Sequence, residues 1–178
     1  MANAILENYK DKVDYTLSKY PDSRSAVMPL LYVAQEHYGY LNPEAIEDVA
    51  DILDMDPTQV KSIAGFYTMY RETPKGKVWL HVCTDLPCAL RGADAFYHDL
   101  LNELQIEDGE TTADGMFTCE HVMCLGSCDT APMLQANFRF HESLNMDIMK
   151  ELLAKWRDDV NAALNPTRAG QEVPVKKA

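Results

Sequence analysis

No run of 18 apolar residues occurs in the 178-residue chain, so no segment is expected to span a bilayer. Positive charge is also scarce: 16 Lys and Arg against 28 Asp and Glu leave a net charge of −12. That balance argues against nucleic acid, whose binding rests on neutralised phosphates, and against an anionic lipid surface. The G-x-G-x-x-G, P-loop, H-E-x-x-H and G-x-S-x-G patterns are missing, which removes the common signatures of nucleotide sites, zinc peptidases and serine hydrolases. Residues 1–11 lack the basic leader and apolar run of a secretion signal and are too acidic for a transit peptide. The expected compartment is therefore a reducing cytoplasm. The five cysteines, an odd number, are expected there as ligands or free thiols, not as a disulfide framework. With 47% hydrophobic and 25% charged residues, the chain can bury a core without cross-links.

What is present changes character part-way along. Ile5, Tyr9, Val13 and Leu17 recur at helical spacing, which predicts a helix over 5–19 ended by Tyr20-Pro21-Asp22-Ser23. Val27, Leu30, Leu31, Ala34 and Tyr38 predict a second helix stopped by Gly39. Asn42-Pro43-Glu44 and Asp56-Pro57-Thr58-Gln59 each combine a capping side chain with proline at the first helical position, so each opens a further helix. Residues 1–72 are thus expected to form a helical bundle. After the turn at Thr73-Pro74-Lys75-Gly76, Val78, Leu80 and Val82 alternate with Trp79 and His81, a strand running into Cys83. A helix carrying Ala93, Phe96, Tyr97, Leu100, Leu101 and Leu104 follows, then a strand over 117–123 and a short hairpin around Asn137-Phe138. The last helix runs from Met149 to Leu164, with Asn165-Pro166 as its stop. The order β, α, β, β, β, α over 77–164 predicts an α+β fold, with helices on the faces of a mixed, thioredoxin-like sheet. Residues 165–178 are expected to be a flexible tail.

Chemistry concentrates in two cysteine pairs. Cys83 and Cys88 form C-x-x-x-x-C, and Cys124 and Cys128 form C-x-x-x-C. Each pair is expected on a turn after a strand, where two thiols can reach one metal ion or one edge of a cluster. Gly126 and Ser127 are small residues inside the second loop, so backbone N–H groups there can turn toward sulfur. Spacing favours a four-cysteine [2Fe-2S] cluster. Zinc competes, although structural zinc loops favour the tighter C-x-x-C. A dithiol oxidoreductase would also want C-x-x-C, and buried unliganded thiols are the bland alternative. Cys119 falls within the predicted strand and is expected to be a core residue. His81 and His121 alternate on strands as packing or surface groups, and the acidic pairs Glu47-Asp48 and Asp158-Asp159 are expected on solvated helix faces.

Several stretches together carry a resemblance. They are Met28-Pro29-Leu30-Leu31, Gly65-Phe66-Tyr67-Thr68, Cys83 through Cys88, Asp114-Gly115-Met116-Phe117, and Cys124-Leu125-Gly126-Ser127-Cys128 with Ala131-Pro132-Met133. In these the chain resembles the thioredoxin-like [2Fe-2S] subunit of the NADH dehydrogenase module of complex I, the NuoE type of NADH:quinone oxidoreductase, over about residues 10–160. The resemblance implies that Cys83, Cys88, Cys124 and Cys128 hold the cluster and that Cys119 is no ligand. It implies an N-terminal helical bundle followed by a thioredoxin-like [2Fe-2S] ferredoxin domain. The chain itself would carry no flavin or nicotinamide site. It would dock, through the helical unit and the apolar residues near the cluster, on a larger partner of NuoF type that binds FMN and NADH. It would exchange single electrons with that flavin, in the cytoplasmic peripheral arm of a membrane-associated complex. The equivalent subunit of an NAD(P)-linked hydrogenase or formate dehydrogenase is the alternative within the resemblance, and a zinc-stabilised, non-redox binding module is the alternative outside it. The segment Asn137-Phe138-Arg139-Phe140 departs from the acidic turn frequent in relatives.

Overall fold

Asn42 and Asp56 start helices as their sequence context requires: the Asn42 side chain accepts a hydrogen bond from the Ala45 amide at 2.7 Å, and Asp56 from the Thr58 amide at 2.7 Å. Each is followed by proline, whose missing N–H costs nothing in a first turn. The computed structural model describes residues 3–159. The stop at Asn165-Pro166, the helix beyond 159 and the tail at 165–178 lie outside the described residues. The chain divides after residue 74 into two compact units, each with its own apolar core.

The first unit contains α1 (Ala4–Leu17), a 3-10 turn (Ser23–Ala26), α2 (Val27–Tyr38), α3 (Pro43–Leu53) and α4 (Pro57–Phe66). Helix α1 ends two residues before the expected boundary and is kinked at Tyr9, where φ is −133°. The 3-10 turn went unforeseen; Asp22 opens it by accepting from the Arg24 amide at 3.0 Å. Gly39 ends α2 with φ +81°, the left-handed conformation that glycine adopts without steric cost. Ile5, Val13, Leu30, Leu31, Val49 and Val60 are fully buried at the centre.

One expectation fails here. Glu47 is exposed, but Asp48 is buried, because the turn of α3 points it at α1 and α2. Its carboxylate accepts from the Tyr38 hydroxyl at 2.9 Å and from the Ile5 amide at 3.4 Å. The free N–H groups at the start of α1 thus find an acceptor across the fold. Burial, followed by the bond to Asp48, pushes the Tyr38 hydroxyl up to about 12.

The second unit contains β1 (Val78–Cys83), α5 (Leu86–Ala89), α6 (Ala93–Leu104), β2 (Phe117–Val122), β3 (Leu134–Ala136), β4 (Arg139–His141) and α7 (Met146–Asp159). The sheet order is β2-β1-β3-β4. Strands β1 and β2 are parallel, joined by the crossover through α5 and α6, while β1 with β3 and β3 with β4 are antiparallel. The hairpin turn is Asn137-Phe138, both at positive φ, as a two-residue turn between twisted strands requires. Asn137 also stitches the turn to β1, accepting from the Trp79 amide at 3.0 Å and donating to the Lys77 carbonyl at 2.8 Å.

Both long helices of this unit pack against a single sheet face, whereas helices on the two faces were expected. Val78, Leu80, Val82, Phe117, Cys119, Leu134 and Ala136 share one core with Phe96 and Leu100 of α6 and with Met149 and Leu153 of α7. The alternate residues of β1 and β2 turn the other way and bring Trp79, His81 and Glu120 together on the opposite face. Gly76 lies against β2: a Cβ there would stand 2.8 Å from the Phe117 carbonyl carbon and 2.9 Å from the Thr118 nitrogen.

Candidate metal centre

Cys83 is the last residue of β1, and its amide donates to the Met133 carbonyl at 3.3 Å. Cys88 does not lie on an open turn as expected. It sits in the single helical turn α5, where Asp85 and Pro87 start the helix and the Cys88 amide donates to the Asp85 carbonyl at 2.8 Å. Helical geometry folds Cys88 back toward the strand end, where both cysteines are buried in one cluster. Cys124 follows β2 in the loop, and Cys128 opens a 3-10 turn at Cys128–Thr130. Cys124 lies near enough to help raise the Cys128 thiol.

The two loops are held side by side by hydrogen bonds to backbone carbonyls. The Thr84 amide donates to the Val122 carbonyl at 3.1 Å, and Arg91 Nε donates to the Ala131 carbonyl at 3.3 Å. Cys83 and Cys88 are buried beside Ala93, Ala131 and Met133, with Leu125 packed against them. Cys124 is exposed and Cys128 half-buried. All five cysteines are free thiols. Among the described residues, no three His, Cys, Asp or Glu side chains gather about one point as around a single metal ion.

Electrostatics link the pairs. Burial, then the contact with Cys83 and the charges of Cys128 and Cys124, pushes the Cys88 thiol up to about 12. Burial, then Cys124, Cys83 and Asp85, raises the Cys128 thiol. Thiols that oppose one another's ionisation can all become thiolates only around positive charge, and that is what iron supplies to its ligands. Four cysteine thiols on two loops joined by the Thr84–Val122 bond are a donor set that fits a [2Fe-2S] cluster. Cys119 stands apart. It pairs with Leu80 in the middle of the parallel ladder, is fully buried in the core under the helices, and has its thiol raised by burial and by Asp108 and Glu120.

Comparison with known proteins agrees. The model of the thioredoxin-like [2Fe-2S] ferredoxin family matches residues 13–157. The chain belongs to this family. Among curated relatives, NADH-quinone oxidoreductase subunit 2 of Thermus thermophilus is 43% identical over 135 residues, three quarters of either chain. An NADH-quinone oxidoreductase subunit from Rhizobium meliloti is 37% identical over 148 residues, 83% of this chain and 88% of that one. A subunit of the same oxidoreductase from Mycobacterium bovis is 38% identical over 152 residues, 85% of this chain but only 60% of the relative. Among solved structures, the NAD+-reducing [NiFe]-hydrogenase in its H2-reduced state superposes with a TM-score of 0.64 at 22% identity. The match covers 72% of this chain and 22% of the hydrogenase chain, and at that identity it shows the shared fold alone.

Two features of this ferredoxin domain were not foreseen in the sequence. Glu120 Oε1 accepts from Trp79 Nε1 at 2.5 Å and lies 3.0 Å from His81 Nε2, while Oε2 is 3.5 Å from Lys75 Nζ. Ser127, expected to serve through its backbone, donates its hydroxyl to Glu142. The alternation of Trp79 and His81 with Val78, Leu80 and Val82 was a signal that the second sheet face is polar; nothing local announced the partners, which lie 39 or more residues away.

Proposed function

We propose that this chain is the electron-carrying subunit of an NADH-quinone oxidoreductase and holds a [2Fe-2S] cluster on Cys83, Cys88, Cys124 and Cys128. The reading is carried by the family match over residues 13–157, which contains all four thiols in their two short spacings. A bound cluster supplies reversible one-electron storage. The chain's own part is to fix the donors: the end of β1 and the turn of α5 hold one pair, and the loop after β2 holds the other. Ala93, Ala131 and Met133 close off the buried side, which keeps water from the Cys83 and Cys88 sulfurs.

The donor and acceptor we infer is FMN on a larger NADH-binding partner subunit, docked over the exposed side of the site. Support comes from the subunit status in the relatives' names and from the apolar rim. Leu86, Leu90 and Met123 are 69%, 80% and 74% exposed, and each lies within two residues of a ligand cysteine. Exposed apolar side chains so concentrated mark a surface that a partner covers. Phe66, 78% exposed at the end of α4, offers a similar anchor on the helical unit. No helix among the described residues is long and apolar enough to cross a membrane, and we place the chain in a peripheral arm of the complex.

Anaerobic purification with iron, sulfide and zinc quantified, followed by EPR after dithionite reduction, tests the cluster. Two irons and two sulfides per chain with a signal from one unpaired spin are expected; one zinc without sulfide would overturn the reading. Co-purification of a flavin-containing, NADH-oxidising subunit tests the partner. A hydrogenase or formate dehydrogenase subunit in its place would reassign the complex and leave the cluster standing.

A further inference from the structure

The loop bearing Cys124 and Cys128 is tied through its backbone carbonyls where it begins and where it ends, and in its middle side chains join the tie. At its start Thr84 bonds Val122, and at its end Arg91 bonds Ala131 and Cys83 bonds Met133. In its middle, Ser127 donates its hydroxyl to Glu142 Oε1, and Ser127 Oγ lies 2.8 Å from Thr130 Oγ1. Thr130 in turn donates its hydroxyl to the Ser127 carbonyl at 3.1 Å and its amide to the same carbonyl at 3.2 Å. Behind them the Ser143 amide donates to the Thr130 carbonyl at 2.7 Å, and the Leu144 amide to the Pro132 carbonyl at 2.8 Å. A ring of bonds thus encloses Cys128.

Glu142 stands on firm ground. It directly follows β4, and Leu144, two residues on, is buried in the core of the second unit. Asn145 then caps α7 by accepting from the Ile148 amide at 2.9 Å. Between them Ser143 adopts φ +53°, a conformation uncommon for a residue with a Cβ, and this bend presents the Ser143 and Leu144 amides to the cysteine loop. The carboxylate therefore reaches the loop from a junction fixed on both sides.

We infer that Glu142 is a positioning residue for the cluster: through Ser127 it fixes the turn that carries Cys128, and its negative charge, bonded to the residue that precedes Cys128, holds the reduction potential down. The inference rests on the cluster assignment above. The geometric half has a physical reason, since a carboxylate acceptor makes a shorter and stronger bond than a neutral one. The electrostatic half follows because reduction adds an electron to an already anionic site, and a nearby negative charge opposes that step.

The test uses the full chain with Glu142→Gln, Glu142→Ala and Ser127→Ala, each checked for folding by circular dichroism. In the iron-free chain, amide exchange at Thr130 and Ser143 reads the clasp without any cluster. Glu142→Ala and Ser127→Ala are expected to speed exchange about fivefold to tenfold, the span of one hydrogen bond of ordinary net strength, because the Ser127–Glu142 bond is exposed to water. Glu142→Gln, which keeps an acceptor oxygen, should stay within about twofold of wild type. In the iron-loaded chain, iron loss to a chelator should follow the same order. The midpoint potential from an EPR-monitored titration should rise in Glu142→Gln, where shape is kept and charge is lost. Wild-type exchange rates in both alanine variants would overturn the clasp, and an unchanged potential in Glu142→Gln would overturn the electrostatic role. If the wild-type chain itself takes up no iron and sulfide, the cluster assignment falls, while the exchange data still judge the clasp.

Discussion

Glu120 and His81 face each other across the parallel β1–β2 pair, with Oε1 and Nε2 3.0 Å apart. They are register partners, so the contact exists only when the two strands are aligned as observed. Truncating Glu120 would remove the carboxylate that Trp79 Nε1–H and the His81 ring face, where both residues are buried. Glu120→Ala is expected to cost about 1–3 kcal/mol, the range for removing a charged acceptor from part-buried donors. Urea unfolding of the full chain checks it, and an unchanged midpoint would show that water replaces the carboxylate without loss.

The cysteines should divide four to one. Serine at Cys83, Cys88, Cys124 or Cys128 is expected to lower bound iron and sulfide sharply. Cys119→Ala should leave both at wild-type levels and lower stability by about 1 kcal/mol through the small cavity it opens in the core. Metal analysis beside a thermal melt separates the two effects; loss of iron in Cys119→Ala would place that residue at the site.

At Gly76 the constraint is space. A methyl group would overlap the backbone of Phe117 and Thr118 at 2.8–2.9 Å, and backbone cannot swing aside as a side chain can. The displacement would also strain the bond from the Gly76 amide to Thr118 Oγ1, 2.6 Å long. Gly76→Ala is expected to destabilise the chain by about 1–3 kcal/mol, in line with overpacking, and a lowered melting temperature is the readout.

Acid should weaken the second unit through Asp108. Burial tends to raise its pKa, but the Tyr97 hydroxyl, the His121 amide at 3.1 Å and the His121 ring outweigh burial and hold the carboxyl below its ordinary value. Because the folded pKa is the lower one, the stabilisation is complete above the unfolded value of about 3.9. It is lost as pH falls through the folded pKa. Asp108→Asn should therefore flatten the fall in stability below about pH 4. Equal acid sensitivity in variant and wild type would assign the fall to other carboxylates.

The apolar rim predicts an association defect without a cluster defect. Leu90→Glu places a charge on a side chain that is 80% exposed, so folding and iron content should be unaffected. Its affinity for the flavin subunit should drop about tenfold or more, as for a buried interface anchor. Pull-down from a reconstituted mixture provides the measurement, and wild-type affinity would move the interface elsewhere on the chain.

Local signals were legible in advance. Asn42-Pro43 and Asp56-Pro57 mark helix starts whatever surrounds them, and Gly39 marks a stop, because caps and left-handed turns are satisfied within a few residues. The alternation in Val78–Cys83 and the hairpin at Asn137-Phe138 are likewise short-range. The short turns were missed because three or four residues carry too little periodicity to detect. Helix α5, which brings Cys88 to Cys83, is one of these.

The sequence by itself determined which residue types could act as donors, their pairing into two short spacings, and the change from helical to strand period near residue 76. Those features depend on neighbours a few positions apart. Tertiary structure decided what depends on distant segments meeting: that Asp48 is buried against the start of α1, that Glu120 answers Trp79 and His81, that both α6 and α7 lie on one sheet face, and that Glu142 reaches Ser127. The hydrogen-bonded pairs among these join residues 15 to 43 positions apart. No local pattern encodes such a pairing, because the partner is set by strand register and helix packing and not by the residues beside it.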